Sequence, residues 1–484
     1  MENAAGPRDR TRGMVAVLAL AGIVAAAMQT LVIPFLGLFP QLLHTTPANA
    51  SWLVTATVLT AAVVTPVSGR LGDLYGKRRM MLICSGPLFA GSVICALANS
   101  LPPMLVGRAL QGVGTSLIPL GMSLLRDVLP PERLGSAVAL ISSSLGIGTA
   151  LGLPIAATVA EHADRHVLFW GAAAMNAVVA ALIWLKIPVT PGRPEGRFDH
   201  VGAIGLSAAL VCLLLGVSKG ADWGWGSGVT LGLLGAAAVL LFAWGRWELR
   251  TTDPLVDLRV AAGRTVLLTN GVSLAIGFAM YAQGLIVPQL LQLPRETGYG
   301  LGQSMLHMGL WMAPAGLMMM LFSPLGARLS AARGPKTTLV TGSLVIALAY
   351  GSSTVLLGSP WTLVIVTCVC NIGVALAYGA IPALIMGAVP RTETASANGF
   401  NTLMRSVGSS VSSAVVGVVL AQLSTDFGGR HIPSEGGFRT GMLIGCGVAL
   451  LAAAVAATIP SARPRKAPAT PVDQAATPSP APAR

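Results

Sequence analysis

Long apolar runs alternate with short polar stretches along nearly the whole chain. They fall at about 14–38, 51–68, 80–98, 104–125, 136–160, 168–187, 201–218, 228–247, 264–288, 305–326, 337–357, 361–387, 397–421 and 438–459. A bilayer core about 30 Å thick is spanned by a helix of roughly 20 apolar residues, and these runs are of that order. The pattern predicts an all-α polytopic membrane protein with about 14 transmembrane helices. The first run follows a basic arm, residues 1–13, containing Arg8, Arg10 and Arg12. A secretory signal peptide opens in the same way. This run is too long for one and is followed by many more spans, so it is expected to remain as a first helix, bent or ended near Pro34.

Composition agrees with the pattern. Hydrophobic residues make up 54% and charged residues only 10% of the chain, whereas soluble chains carry about 25% charged residues. The net charge of +13 raises the question of nucleic acid. The basic residues sit at the ends of apolar runs rather than on one patch or arm, which argues against it. Most of the 31 Lys and Arg fall in alternate connections. The positive-inside rule then puts both termini in the cytoplasm, with Arg165, Lys219, Arg295, Arg430 and Arg439 outside. The Pro/Ala-rich tail after 460 carries Arg463, Arg465 and Lys466. It reads as disordered, with its charges near an anionic inner leaflet.

Between the second and third runs lies Gly69-Arg70-Leu71-Gly72-Asp73-Leu74-Tyr75-Gly76-Lys77-Arg78-Arg79. A tight turn at the membrane surface is expected here, its glycines permitting close approach and positive φ. Asp73 is placed to pair with the basic residues or to cap a helix N-terminus. Arg78 and Arg79 are expected to substitute in part for Lys77. The stretch resembles the signature loop of the major facilitator superfamily, G-x-L-(a/g)-D-x-x-G-(R/K)-(R/K), with Gly69, Leu71, Asp73, Gly76, Lys77 and Arg78 at the matching positions. The resemblance implies a gating latch that locks the cytoplasmic side while the carrier faces outward.

The chain also repeats itself. Ala327 to Lys336 aligns with Gly69 to Arg78, and Pro390 to Ala397 aligns loosely with Pro130 to Ala137 at nearly the same offset. Spans one to six thus pair with spans nine to fourteen, leaving 201–218 and 228–247 as an insert. The expected division is a cytoplasmic arm 1–13, a six-helix bundle 14–188, a linker with two extra helices 189–263, a second six-helix bundle 264–459, and a tail 460–484. Transporters built from repeats bind substrate where the halves meet. Twelve core helices plus two inserted ones resemble the 14-span drug:proton antiporters of the superfamily. That resemblance implies export of small amphipathic compounds, such as drugs and antibiotics, across the cytoplasmic (inner) cell membrane. Alternating access, a proton gradient as energy source and a monomeric functional unit are implied with it. An importer or uniporter on the same fold is the alternative.

Several positions inside spans are candidates for chemistry. Arg108 lies in Gly107-Arg108-Ala109-Leu110-Gln111-Gly112-Val113-Gly114. A charge at a helix centre costs at least about 2.5–3.5 kcal/mol on insertion scales, so it should face the interior and find a polar partner. The run resembles a second family signature, which would give Arg108 and Gln111 a role in proton coupling. Gly148-x-x-x-Gly152 allows close helix contact. With Pro154 it resembles an antiporter signature, imperfectly, because Leu153 intervenes and Ala156-Ala157 replace glycines. Related exporters carry an acid in the first span; here Met28 takes that position, followed by Gln29. Glu161, His162 and His307 are the remaining groups that could titrate. Asn401 and Arg405 share a helix face, as substrate contacts or as a polar seam. With Met28 in the acid position and Arg108 and Arg405 inside spans, neutral, zwitterionic or anionic compounds are expected to be preferred over lipophilic cations.

Other chemistry has little footing. Cys368-x-Cys370 has the wrong spacing for a usual metal or redox pair. The chain lacks a G-x-x-x-x-G-K-[ST] loop, which argues against ATP as the driver. The loops hold no cluster of His, Asp or Ser of the kind an enzyme needs. The expectation is therefore a non-enzyme without cofactor or metal. Its partners are a small-molecule substrate, the lipid bilayer and protons, and not nucleic acid.

Overall fold

The computed structural model describes residues 7–190, 197–427 and 430–460. The expected tail beyond 460, the start of the arm and part of the linker lie outside them. The long helices in order are α1 (Pro7–Thr30), α2 (Trp52–Tyr75), α3 (Lys77–Leu97), α4 (Leu101–Gly112), α5 (Leu117–Val128), α6 (Pro131–His162) and α7 (Arg165–Lys186). Then come α8 (His200–Trp223), α9 (Gly228–Glu248), α10 (Arg264–Gln292), α11 (Met305–Arg333), α12 (Pro335–Ser353), α13 (Pro360–Ala388), α14 (Thr394–Gln422) and α15 (Glu435–Ala457). A short antiparallel hairpin, β1 (Ser424–Phe427) with β2 (Arg430–Pro433), joins α14 to α15 with Thr425 opposite Ile432. The hydrophobic pattern did not indicate it.

Helix α1 begins inside the stretch expected as an arm and ends before Pro34, which opens a 3-10 turn over Pro34–Gly37. Proline lacks the N–H that would continue the α-helical ladder. Twelve helices among the described residues are long and apolar enough to cross a membrane, against about fourteen expected. The expected spans 104–125 and 337–357 are outside that number. The first is divided into α4 and α5 by a 3-10 turn at Val113–Ser116. The second is α12, of 19 residues, whose apolar run is diluted by Thr337, Thr338, Thr341 and Ser343.

Three apolar cores organise the helices. One gathers residues from Met14 to Ile187 together with Met386 and Ala395, the second residues from Val266 to Ile459. The third joins α8 and α9 to α2 and α14 through Ala62, Leu210, Trp244, Leu255 and Leu403. Helix α1 packs on α6 as α10 packs on α14; α3 packs on α7 as α12 packs on α15. The aligned turns match in detail. Gly76 (φ +96°) separates α2 from α3, and Gly334 (φ +87°) separates α11 from α12. A side chain is strained at that φ, which accounts for glycine at both. The expected loop 69–79 is thus one residue of turn between two helices. Gly76 and Gly334 lie at the same end of the molecule, its basic end.

Two seams join the cores, α6 with α11 and α2 with α14. The α6–α11 seam runs antiparallel from Ser323, which donates to the Ala139 carbonyl (2.6 Å), to Glu161, which accepts from the Leu306 N–H (3.0 Å). Small residues let the backbones touch: an added Cβ on Gly146 would lie 2.7 Å from the Gly316 carbonyl oxygen.

Candidate functional site

At the basic end, Asp73 reaches across the α2–α14 seam. Its carboxylate accepts from the backbone N–H of Ser396 (3.0 Å) and, more weakly, of Ala395 (3.4 Å), in the first turn of α14. Both expected roles are filled. It caps a helix N-terminus, where free N–H groups and the helix dipole favour an anion. It also pairs with Lys77 at 3.7 Å. The capped helix is distant in sequence: its Ala395 packs in the first core and its Val416 and Leu420 in the second. Gly69 makes the approach possible, since a Cβ there would sit 2.6 Å from the Ala395 carbonyl oxygen.

Lys77 also forms an ion pair with Asp127 at the end of α5. Arg126, which sequence reasoning passed over, donates to the Val389 carbonyl (3.0 Å) and to the Thr394 hydroxyl. A basic residue in the last turn of a helix was the available signal. A further tie comes from the segment after α9. Asp253 pairs with Arg70 (3.5 Å), and the Leu255 carbonyl accepts from the Ser396 hydroxyl (3.0 Å). The connection that follows the inserted helices is therefore bonded to both sides of the same seam.

The expectation that Arg78 and Arg79 substitute for Lys77 does not hold. Lys77 is 5% exposed, whereas Arg78 donates to the Trp184 carbonyl and Arg79 is exposed. Removing one member of a buried ion pair leaves the other charge stranded, at about 3–5 kcal/mol in favourable cases. Lys77→Ala is therefore expected to lower transport by about tenfold or more, with Arg79→Ala within about twofold of wild type. Equal rates for the two variants in membrane vesicles would contradict this geometry.

Away from the basic end, α2 and α14 both line a cavity of about 300 Å³. Gln29, Thr30, Thr57, Ala61, Arg108 and Thr115 line it from the first core; Met280, Tyr281, Thr402, Ser406 and Ser409 line it from the second. Arg108 is 1% exposed. Its Nε donates to the Leu53 carbonyl (3.2 Å), and its Nη1 donates to the Met28 carbonyl (3.1 Å) and Gln111 Oε1 (2.7 Å). Gln111 in turn donates to Ser92, as does Asn176, each at 3.0 Å. Met28 thus serves the cation by its backbone, while its side chain is buried in the first core.

The structure divides the other candidates. Gly148 and Gly152 face α1, where an added Cβ would lie 2.3 Å from the Ile23 carbonyl oxygen and 2.2 Å from Thr30 Oγ1 respectively. Pro154 lies on the other seam, beside Gly309. Asn401 donates to Asn270 (2.9 Å) and Ser273 (2.6 Å), forming a polar seam between α14 and α10. Arg405 is stacked 4.8 Å over the Tyr378 ring and donates to Thr402. Neither residue lines the cavity. Glu161, His162 and His307 are exposed at the end opposite the basic one. There Asp164 caps α7, and the His166 backbone N–H holds its carboxyl below the usual range. Sequence reasoning missed Thr57, Thr115, Tyr281, Ser406 and Ser409. The 402/406/409 spacing on one helix face was the readable sign of a polar stripe.

A largely helical membrane protein whose two main apolar cores meet around a cavity bolted at one end has the architecture of a polytopic membrane transporter. The chain belongs to the Major Facilitator Superfamily, whose family profile matches residues 18–413 and 272–483. It is 30% identical over 429 residues to the tetracenomycin C resistance and export protein of Streptomyces glaucescens, covering 86% of this chain and 77% of that one. It is 28% identical to the multidrug resistance protein Stp of Mycobacterium tuberculosis, over 76% of this chain and 68% of that one. The probable actinorhodin transporter of Streptomyces coelicolor is also 28% identical, over 76% of this chain and 65% of that one. Among solved structures, the human organic anion transporter MFSD10 superposes with a TM-score of 0.66 at 15% identity, over 92% of this chain and 99% of that chain.

Proposed function

We propose that this protein is a secondary active exporter of small amphipathic compounds across the cytoplasmic membrane, working by alternating access as a monomer and driven by the proton gradient. The observation that carries the reading is the cavity between the two cores, closed at the basic end by Asp73 on the first turn of α14. The basic end is assigned to the cytoplasm because Lys and Arg concentrate there. The state described is then outward-facing, with the latch shut. Export is favoured by relatives whose names state resistance and export.

We assign fourteen spans, counting residues 101–128 and α12 with the twelve. A 19-residue helix at about 1.5 Å per residue is nearly as long as a bilayer core is thick. This gives bundles 14–188 and 264–459, the inserted pair within 189–263, and both termini cytoplasmic. The acid-free cavity lining favours a second reading, an importer or uniporter on the same fold. The test is accumulation of a broad compound panel in cells with and without the gene, each with and without an uncoupler. Export predicts lower accumulation of at least one compound when the gene is present, abolished by the uncoupler. Increased uptake of a nutrient, with no compound excluded, would establish the second reading instead.

A further inference from the structure

The cavity lining holds one charge, Arg108, and no Asp, Glu, Lys or His. Resting on the reading of this cavity as the transport site, we infer that it takes amphipathic weak acids as their monoanions. The anionic oxygens sit at Arg108, and hydrogen-bond donors of the same molecule sit on the hydroxyl stripe of α14.

Arg108 is buried and has no counter-ion among the described residues. Its named acceptors are two backbone carbonyls and the Gln111 amide, all neutral. None of the ion pairs among the described residues includes it. A guanidinium carries five N–H donors. These three bonds engage Nε and Nη1, and Nη2 has no acceptor among the described residues. A desolvated cation with spare donors and no balancing charge is unfavourable. A carboxylate or phenolate from the cavity supplies both the charge and the acceptors in a charge-assisted hydrogen bond. A lipophilic cation meets the same guanidinium with no acid to offset the repulsion.

The part of the lining that α14 supplies has complementary chemistry. Ser406 Oγ donates to the Thr402 carbonyl (3.2 Å), and Ser409 Oγ donates to the Arg405 carbonyl (3.1 Å). With their hydrogens committed to backbone, these oxygens remain as acceptors for a ligand hydroxyl or amide N–H. Val54, Val58, Met280 and Leu285 line the same cavity and suit an apolar ring system. Arg405 does not add to the charge of the cavity, since it is stacked on Tyr378 outside the lining.

Three fluorescent probes of one ring system test this: anthracene-9-carboxylate, 9-anthracenemethanol and 9-anthracenylmethyl-trimethylammonium. Binding is measured on the full-length protein in phosphatidylcholine nanodiscs without a gradient, so the result is independent of transport direction. The carboxylate is expected to bind about tenfold more tightly than the alcohol, with the trimethylammonium compound weakest. Arg108→Gln should lower carboxylate affinity about tenfold, to that of the alcohol, and leave the alcohol within about twofold. Ala61→Asp places an acid in the same lining and should invert the order of carboxylate and cation, which keeps the test valid should Arg108→Gln fail to fold. Binding of the cation as tight as the carboxylate, equal discrimination in Arg108→Gln, an unchanged order in Ala61→Asp, or no binding by any probe would overturn the inference. Preserved carboxylate selectivity alongside a failed export assay would overturn only the direction of transport.

Discussion

Asp73→Ala is expected to abolish transport while leaving the protein inserted in the membrane. Among the described residues, the carboxylate is the one acceptor linking the end of α2 to the N–H groups of Ala395 and Ser396 in α14. Hydrogen bonds to a charged group contribute about 1.5–3 kcal/mol each. The 3.4 Å bond to Ala395 is the weaker of the two. Losing both removes about 2–4 kcal/mol from the state in which the basic end is closed, a shift of about 30- to 1,000-fold in the balance between closed and open. A carrier held in one state cannot cycle. Asp73→Asn keeps an acceptor oxygen but not the charge, so it should fall between alanine and wild type. Transport in membrane vesicles gives the rate. Maleimide labelling of Leu403→Cys, buried where α2 meets α14, in a protein without other cysteines should speed up when Asp73 is removed. Wild-type transport by well-inserted Asp73→Ala would eliminate the latch.

Gly148→Leu is expected to leave little or no folded protein. A Cβ at this position would sit 2.3 Å from the Ile23 carbonyl oxygen and 2.6 Å from the Ala26 side chain. Both are parts of α1 that can retreat only if the helix moves. Close-packed interiors absorb small changes poorly, and overpacking commonly costs about 1–3 kcal/mol, more where backbone blocks the way. In the membrane, α1 and α6 are held by this close fit rather than by exclusion of water, so the loss is not recovered elsewhere. Gly417→Ala is the control, because nothing lies within 4 Å of a Cβ there. Yield of monodisperse protein and its Tm should fall sharply for Gly148→Leu and stay near wild type for Gly417→Ala. If Gly148→Leu folds normally but loses only transport, the glycines act in conformational cycling rather than in packing.

The membrane class, the run of helices and the repeat were legible in the sequence, because each depends on local chemistry. An apolar run of bilayer length has few options other than a helix, since lipid offers its backbone no hydrogen bonds. A turn that needs positive φ shows itself as glycine, which is why Gly76 and its counterpart Gly334 could be aligned before any fold was known. Even the cation at Arg108 could be assigned to the interior from its cost in lipid alone. What local chemistry could not decide was who meets whom. Asp73 had two plausible roles and serves both, but the helix it caps begins at Thr394, more than 300 residues further along the chain. Asn401 and Arg405 share a helix face with each other, and the approach of α10 and α13 takes them to Asn270 and Tyr378 rather than to the cavity. Lys77 and Arg79 are near neighbours of like charge, and the positions of Asp73 and Asp127 separate their roles. Which residues of α1, α2, α4, α10 and α14 line the cavity likewise follows from which faces turn toward one another. That is set by packing between helices far apart in the chain.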